Sequence, residues 1–329
     1  MISPLAFLRG RACILIAGGI AVLTPLAISG NPYYLTVLTL ILIFIIYSSA
    51  WNFLAYSGQG SLGHAAFFGL GGYTSSMIAL STGAPPIAAT FLGGAVTAGI
   101  GGLIGLTCVR LKEWFLAMVT FGFAVIIQTL TVSQLAPFTH GWDGYAAPRL
   151  VSPEIPGYLF IEYYVILAMV VLTLGVLAIL MRSRFGLALA AIRENELEAR
   201  AAGINPVKFR LFAFIISAFF AGVAGALEIC HFGYITPEIY GIDLSFWPII
   251  YSITGGLGTL AGPVIGTIVV TIFWDGLNAM GLSYERFIVI GVMLILIIVF
   301  LPRGIVSFPS KIREFLQKRL SRGKEPEKT

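Results

Sequence analysis

The chain has 329 residues, of which 58% are apolar and only 11% charged, with a mean hydropathy of +0.94. Soluble domains carry roughly 25% charged residues, so this sequence lacks the polar surface to cover a soluble core. Its long continuous apolar runs equally exclude a disordered chain and the alternating strands of an outer-membrane barrel. What remains is an all-α, polytopic transmembrane protein, and 38 glycines suit one, because small residues let membrane helices approach closely.

Stretches able to cross roughly 30 Å of hydrocarbon lie at about 12–29, 33–57, 61–80, 86–108, 114–133, 160–181, 208–229, 243–257, 260–280 and 286–301, predicting about ten spans. Arg9 and Arg11 followed by Ala12–Ser29 resemble a signal peptide, with Ala27-Ile28-Ser29 as a weak cleavage site. That apolar run exceeds an ordinary signal core and many spans follow it, so it is read as an uncleaved first span. The third span opens at Gly58-Gln59-Gly60-Ser61, and the short eighth ends at Gly255-Gly256, which predicts a half or broken helix. Segment 134–159 holds Pro137, Pro148, Pro153 and Pro156 and is too polar to span. Segment 182–207 is the long charged stretch between spans. Helix formers run from Leu187 to Ala202, Gly203 is a natural stop, and Asn205-Pro206 opens the next element, predicting one short helix over about 187–203. Residues 1–310 thus form a single transmembrane domain and 311–329 a basic tail.

Charge placement orients the chain. With a cytoplasmic N-terminus and ten alternating crossings, 18 of the 20 lysines and arginines fall inside, leaving Arg149 and Arg286 outside. The net charge of +5 is therefore an orientation signal and no nucleic-acid patch, and both termini are expected in the cytoplasm. Spans 2–5 then start outside and spans 7–10 inside, a sense that permits an inverted repeat. Cys13, Cys108 and Cys230 are far apart and show no metal-ligand spacing; neither a P-loop nor a hydrolase or metalloprotease motif is present. The chain is expected to be no enzyme, with no metal or cofactor of its own.

The order and spacing of several blocks carry more. Asn52-Phe-Leu-Ala-Tyr-Ser-Gly58-Gln59-Gly60-Ser61-Leu62-Gly63-His64-Ala-Ala-Phe-Phe-Gly69 is one. Phe185-Gly186 with Ala191-Ile-Arg193-Glu194-Asn195-Glu196, ending in Gly203-Ile204-Asn205, is another. Phe214–Ala226, Gly255–Gly266 and Pro302-Arg303-Gly304 complete the set. Together they resemble the LivM-like permeases of ABC importers for branched-chain amino acids, over about residues 33–308. The resemblance implies a transport subunit of the bacterial inner membrane carrying leucine, isoleucine, valine or a related small solute. It also implies a second homologous permease subunit, two ATPase subunits holding ATP–Mg and an external solute-binding protein. Three places depart from the family: His140 stands where a glycine is frequent, Leu187 and Ala190 where basic residues are, and Arg200 where an acidic one is.

On this resemblance Arg193, Glu194, Asn195, Glu198, Ala199 and Gly203 couple to the ATPases; a plain solvated basic loop is the other reading of the same residues. Gln59, Ser61, His64, Thr120, Gln128 and Thr254 are candidates for the substrate pathway, with packing and interhelical hydrogen bonding as the alternative. Glu228 and Asp275 lie toward outer span ends, where solvation accounts for them. An ion-coupled secondary transporter is the rival function, and would want an intramembrane carboxylate beside a candidate such as His64.

Overall fold

The computed structural model describes residues 18–28, 31–111, 113–282 and 284–308. The predicted tail 311–329 and the start of the first predicted span, with Cys13, lie outside these. In chain order the helices are α1 Gly18–Ala27, α2 Pro32–Tyr56, α3 His64–Thr82, α4 Pro86–Cys108, α5 Glu113–Val132, α6 Ala136–Thr139 and α7 Tyr158–Arg182. They continue with α8 Arg184–Glu194, α9 Glu196–Ala201, α10 Pro206–Phe232, α11 Ile242–Gly255, α12 Ala261–Ala279 and α13 Arg286–Phe300. A helix thus stands at each predicted span. Six of them, α2, α4, α5, α7, α10 and α12, are long and apolar enough to cross a membrane, whereas α1 and α13 are apolar but shorter. Helix α11 has 14 residues, broken off by the glycines after it and interrupted inside by Pro248.

Local chemistry sets these boundaries. Asn31 caps α2 by accepting from the Tyr33 N–H at 3.0 Å, with Pro32 at the first helical position. Asn205 and Pro206 repeat the device at α10, where Asn205 accepts from Lys208 N–H at 3.2 Å. The expected single helix over 187–203 is instead two, because Asn195 is extended (φ −154°, ψ 108°), closing α8 and capping α9. Helix propensity alone favours continuity there; the asparagine side chain bonding to the next backbone amides wins.

Of the six long apolar helices, α2 and α10 are the most buried, and they lie against each other. Helix α10 packs on α3 and α4, while α2 packs on α7, α11 and α12. Small residues permit this closeness: a Cβ on Gly71 of α3 would overlap the Gly222 carbonyl of α10, and one on Gly266 of α12 would overlap the Tyr251 carbonyl of α11. An aromatic core of Phe44, Tyr47 and Phe68, continued by Tyr251, fills the junction of α2, α3 and α11.

The connections sort to two ends. Segments 57–63, 109–111, 183–205, 256–260 and 301–304 meet at one end, where Arg193 lies against Gly58 and Gly258 and Gly304 against Gly256. At the other end Tyr145–Ala146 pairs antiparallel with Tyr234–Ile235, and Tyr33 hydroxyl donates to Asp275 at 2.5 Å.

Candidate functional site

The predicted coupling segment is built by its caps. Asn195 accepts from Leu197 N–H (3.1 Å) and Glu198 N–H (3.4 Å), and its own amide donates to Glu198 Oε1 at 2.6 Å. This resembles a capping box, with the carboxylate at the third helical position also favoured by the helix dipole. At the far end Gly203 takes φ +83°, so that Gly203 N–H reaches Arg200 O and Ile204 N–H reaches Ala199 O, both at 3.0 Å. That is a Schellman closure, which needs a left-handed residue and explains the glycine. Glu196 pairs with Arg200 at 2.6 Å and with Arg210 of α10 at 2.8 Å, fastening α9 to a membrane helix. Partial burial opposes ionisation of Glu196, but the two guanidinium groups outweigh it and hold its pKa below the ordinary 4.5.

Of the predicted coupling residues, Arg193, Glu194, Asn195, Glu198 and Gly203 are exposed, while Ala199 is buried and packs inward. Two apolar side chains stand out beside them: Leu187 of α8, the family departure, is 67% exposed, and Leu197 of α9, which the sequence did not mark, is 78% exposed.

The predicted pathway residues fall into two groups. The first holds the start of α3. Trp51 Nε1–H donates to Ser61 O at 2.8 Å, Ser61 Oγ accepts from Gly63 N–H at 3.2 Å, and Thr120 Oγ1 accepts from Leu62 N–H at 3.1 Å. Ser217 Oγ donates its one proton to Ala50 O at 2.6 Å, so at 3.1 Å it accepts from His64 Nε2–H, which fixes the histidine tautomer. His64 Nδ1 has no partner among the described residues, and Ser61, His64 and Thr120 are all fully buried. Thr254, equally buried on α11, leaves its hydroxyl unpartnered among the described residues.

The second group, Gln59 and Gln128, lies away from the α3 start: Gln59 is buried and Gln128 half-buried. Ser57 spends its proton on Leu54 O at 2.6 Å, so its 3.4 Å approach to Gln59 Oε1 is weak. Gln59 lines a cavity of about 840 Å³ between the α4–α5 turn and α9, with Arg110, Trp114, Glu196 and Arg210 among its walls. Half-buried Gln128 donates to Pro237 O at 3.1 Å, near the opposite end.

Three features escaped sequence reasoning. Asn52 on α2 donates to Thr259 O and accepts from Gly258 N–H, both at 2.8 Å, tying the two glycine segments together. Glu162 of α7 lies 3.1 Å from His231 Nδ1 of α10, both buried; 69 residues of separation hide the pair. Glu228 is half-buried on α10, not solvated as expected, and Asp275 is bound by Tyr33.

Residues 33–298 match the family described as branched-chain amino acid transport system, permease component. The high-affinity branched-chain amino acid transport permease LivM of Salmonella typhimurium is 27% identical over 312 residues, covering 87% of this chain and 72% of its own length. Its counterpart LivH of Escherichia coli K12 is 27% identical over 274 residues, covering 77% of this chain and 87% of its own. The ribose import permease RbsC of Escherichia coli K12 is 26% identical over 164 residues, 47% of each chain. No solved structure gives a significant match. With the family's match spanning most of the sequence, the chain belongs to the branched-chain amino acid permease family, as a transport subunit of the membrane and similar to LivM.

Proposed function

We propose that this chain is one of two homologous permease subunits in an ABC importer of the bacterial inner membrane. The importer carries leucine, isoleucine, valine or a similar small solute delivered by an external binding protein. Two ATPase subunits, holding ATP–Mg, dock beneath α8 and α9. The observation that carries this reading is the coupling segment: two short helices, capped at Asn195 and Gly203, present Leu187, Glu194, Leu197 and Glu198 outward at the end where both glycine segments meet.

Ten crossings with both termini cytoplasmic fit the sorting of connections to two ends, which follows the alternation of the basic residues. An inverted repeat of α2–α5 and α10–α13 is supported by exchanged packing, since α3 and α4 rest on α10 while α11 and α12 rest on α2. On the route itself we place Gln59, which lines the cavity, Gln128, and Thr254 with its spare hydroxyl. Ser61, His64 and Thr120 hold the α3 entrance in shape. A zwitterion with an aliphatic side chain needs a few such groups among apolar walls, and no tight site.

The ion-coupled alternative would use the buried Glu162–His231 pair as its titrating element. Co-purification separates the two. The importer reading expects the chain to hold its ATPases through washing, with Glu198→Lys and Gly203→Pro losing them and lowering ATP-driven uptake at least tenfold. Normal assembly and uptake in both variants would refute docking through this segment.

A further inference from the structure

Arg193 belongs to the predicted docking set, yet its side chain, 38% exposed, lies back along the protein surface over α2 and the two glycine segments. Its guanidinium carbon lies 5.2 Å from the ring centroid of Tyr56, in the last turn of α2. Its stem passes the α carbon of Gly58, so that a Cβ there would stand 3.5 Å from Arg193 Cγ. Its tip reaches the second glycine segment, where a Cβ on Gly258 would stand 2.8 Å from Nη1. Arg193 therefore lies between the segment that begins α3 and the segment that joins α11 to α12.

Helix α2 holds the same two segments from the other side. Asn52, four residues before Tyr56 and on the same helical face, grips Gly258 and Thr259 with both ends of its amide, at 2.8 Å each. Trp51 grips Ser61 at 2.8 Å. Gly58 and Gly258 take φ +81° and +75°, and Gly256 takes +137°, conformations that leave the backbone free to swing without a side-chain penalty. Ala65 N–H, in the first turn of α3, donates to Ser245 Oγ of α11 at 3.2 Å, so these two helices also touch each other.

We infer that Arg193 is a positioning residue of transport: it converts movement of the α8–α9 segment into coordinated movement of α3 and α11, with Asn52 as the tie between their glycine hinges. A push on α8 displaces a planar cation wedged against both hinges at once, and the Asn52 clamp keeps them from moving separately. Tyr56 supplies the face on which the guanidinium slides, a geometry that a lysine ammonium reproduces poorly. The inference rests on the importer reading but assigns Arg193 to transmission, where Glu194 and Glu198 serve docking.

The test uses the full complex of permeases, ATPases and binding protein in proteoliposomes, read as co-purified ATPase and as solute imported per ATP hydrolysed. Arg193→Ala is expected to keep the ATPases bound while import per ATP falls at least tenfold. Arg193→Lys, which retains stem and charge, is expected to fall between Arg193→Ala and wild type. Asn52→Leu gives the same uncoupled pattern, and Arg193→Ala with Asn52→Leu together lose no more than the worse single change, as for residues acting in one chain of contacts. Loss of bound ATPase in step with import would make Arg193 a docking residue and overturn the inference, as would unchanged import per ATP. A wild-type complex without ATP-driven import would sink the importer reading itself and this inference with it.

Discussion

At the scale of single residues, His140 is the positive-φ residue among the described non-glycines, at φ +59°. A left-handed conformation costs a residue with a Cβ roughly 1–2 kcal/mol, which gives a physical reason why glycine suits this position. His140 also stacks edge-on to Tyr145 with ring centroids 6.0 Å apart, an offsetting contact. His140→Gly is expected to raise thermal stability by up to about 1 kcal/mol; a lower melting temperature would mean that the ring contact outweighs the strain. The sequence marked His140 as standing where a glycine is frequent, but its φ was not legible there. His64 was likewise legible as a buried histidine, whereas its partner Ser217 is 153 positions away and no local pattern announces it. His64→Leu removes that bond and is expected to lower stability by about 1–3 kcal/mol, read as a melting shift of the purified chain. A variant as stable as wild type would show that the His64–Ser217 bond contributes nothing.

At the scale of elements, chain punctuation was the most readable feature. Pro32, Pro86 and Pro206 start helices and Gly83, Gly203 and Gly233 stop them, because each acts through its own backbone. The break at Asn195 was harder, since Ala191–Ala202 reads as continuous helix until the asparagine amide is seen bonded to Glu198. The α9 anchor gives a pH prediction. Glu196 has its pKa lowered in the folded state, so its stabilisation is complete above the unfolded value near 4.5 and is lost as pH falls through the lower folded value. A melting curve of wild type against Glu196→Gln is expected to show a constant gap at neutral pH that closes on acidification below about 4.5. Because Glu196 is about one-third exposed, the gap is expected to stay within about 1 kcal/mol. A gap that widens on acidification would contradict the sign.

At the scale of the whole molecule, composition was enough to require a helical membrane protein, and the positions of all ten predicted spans carry helices. What composition could not supply was the exchange of partners, with α10 on α3 and α4 and α2 on α11 and α12. That exchange is carried by close contacts such as Gly71 against Gly222, and a glycine in a sequence does not say which helix approaches it. Nor did it show that both glycine segments converge at one end on Arg193, because Gly58 and Gly258 lie far from it along the chain, on either side. The fold therefore joins the exposed α8–α9 segment to two glycine segments, and the central claim of the proposal is that ATP bound by partners moves them. The most direct measurement is uptake of labelled leucine by proteoliposomes containing the full complex, with and without trapped ATP–Mg and with ion gradients collapsed. The account predicts uptake that requires ATP, survives loss of every ion gradient and falls at least tenfold with Glu198→Lys. Uptake that continues without ATP but stops when a proton or sodium gradient is collapsed would contradict it.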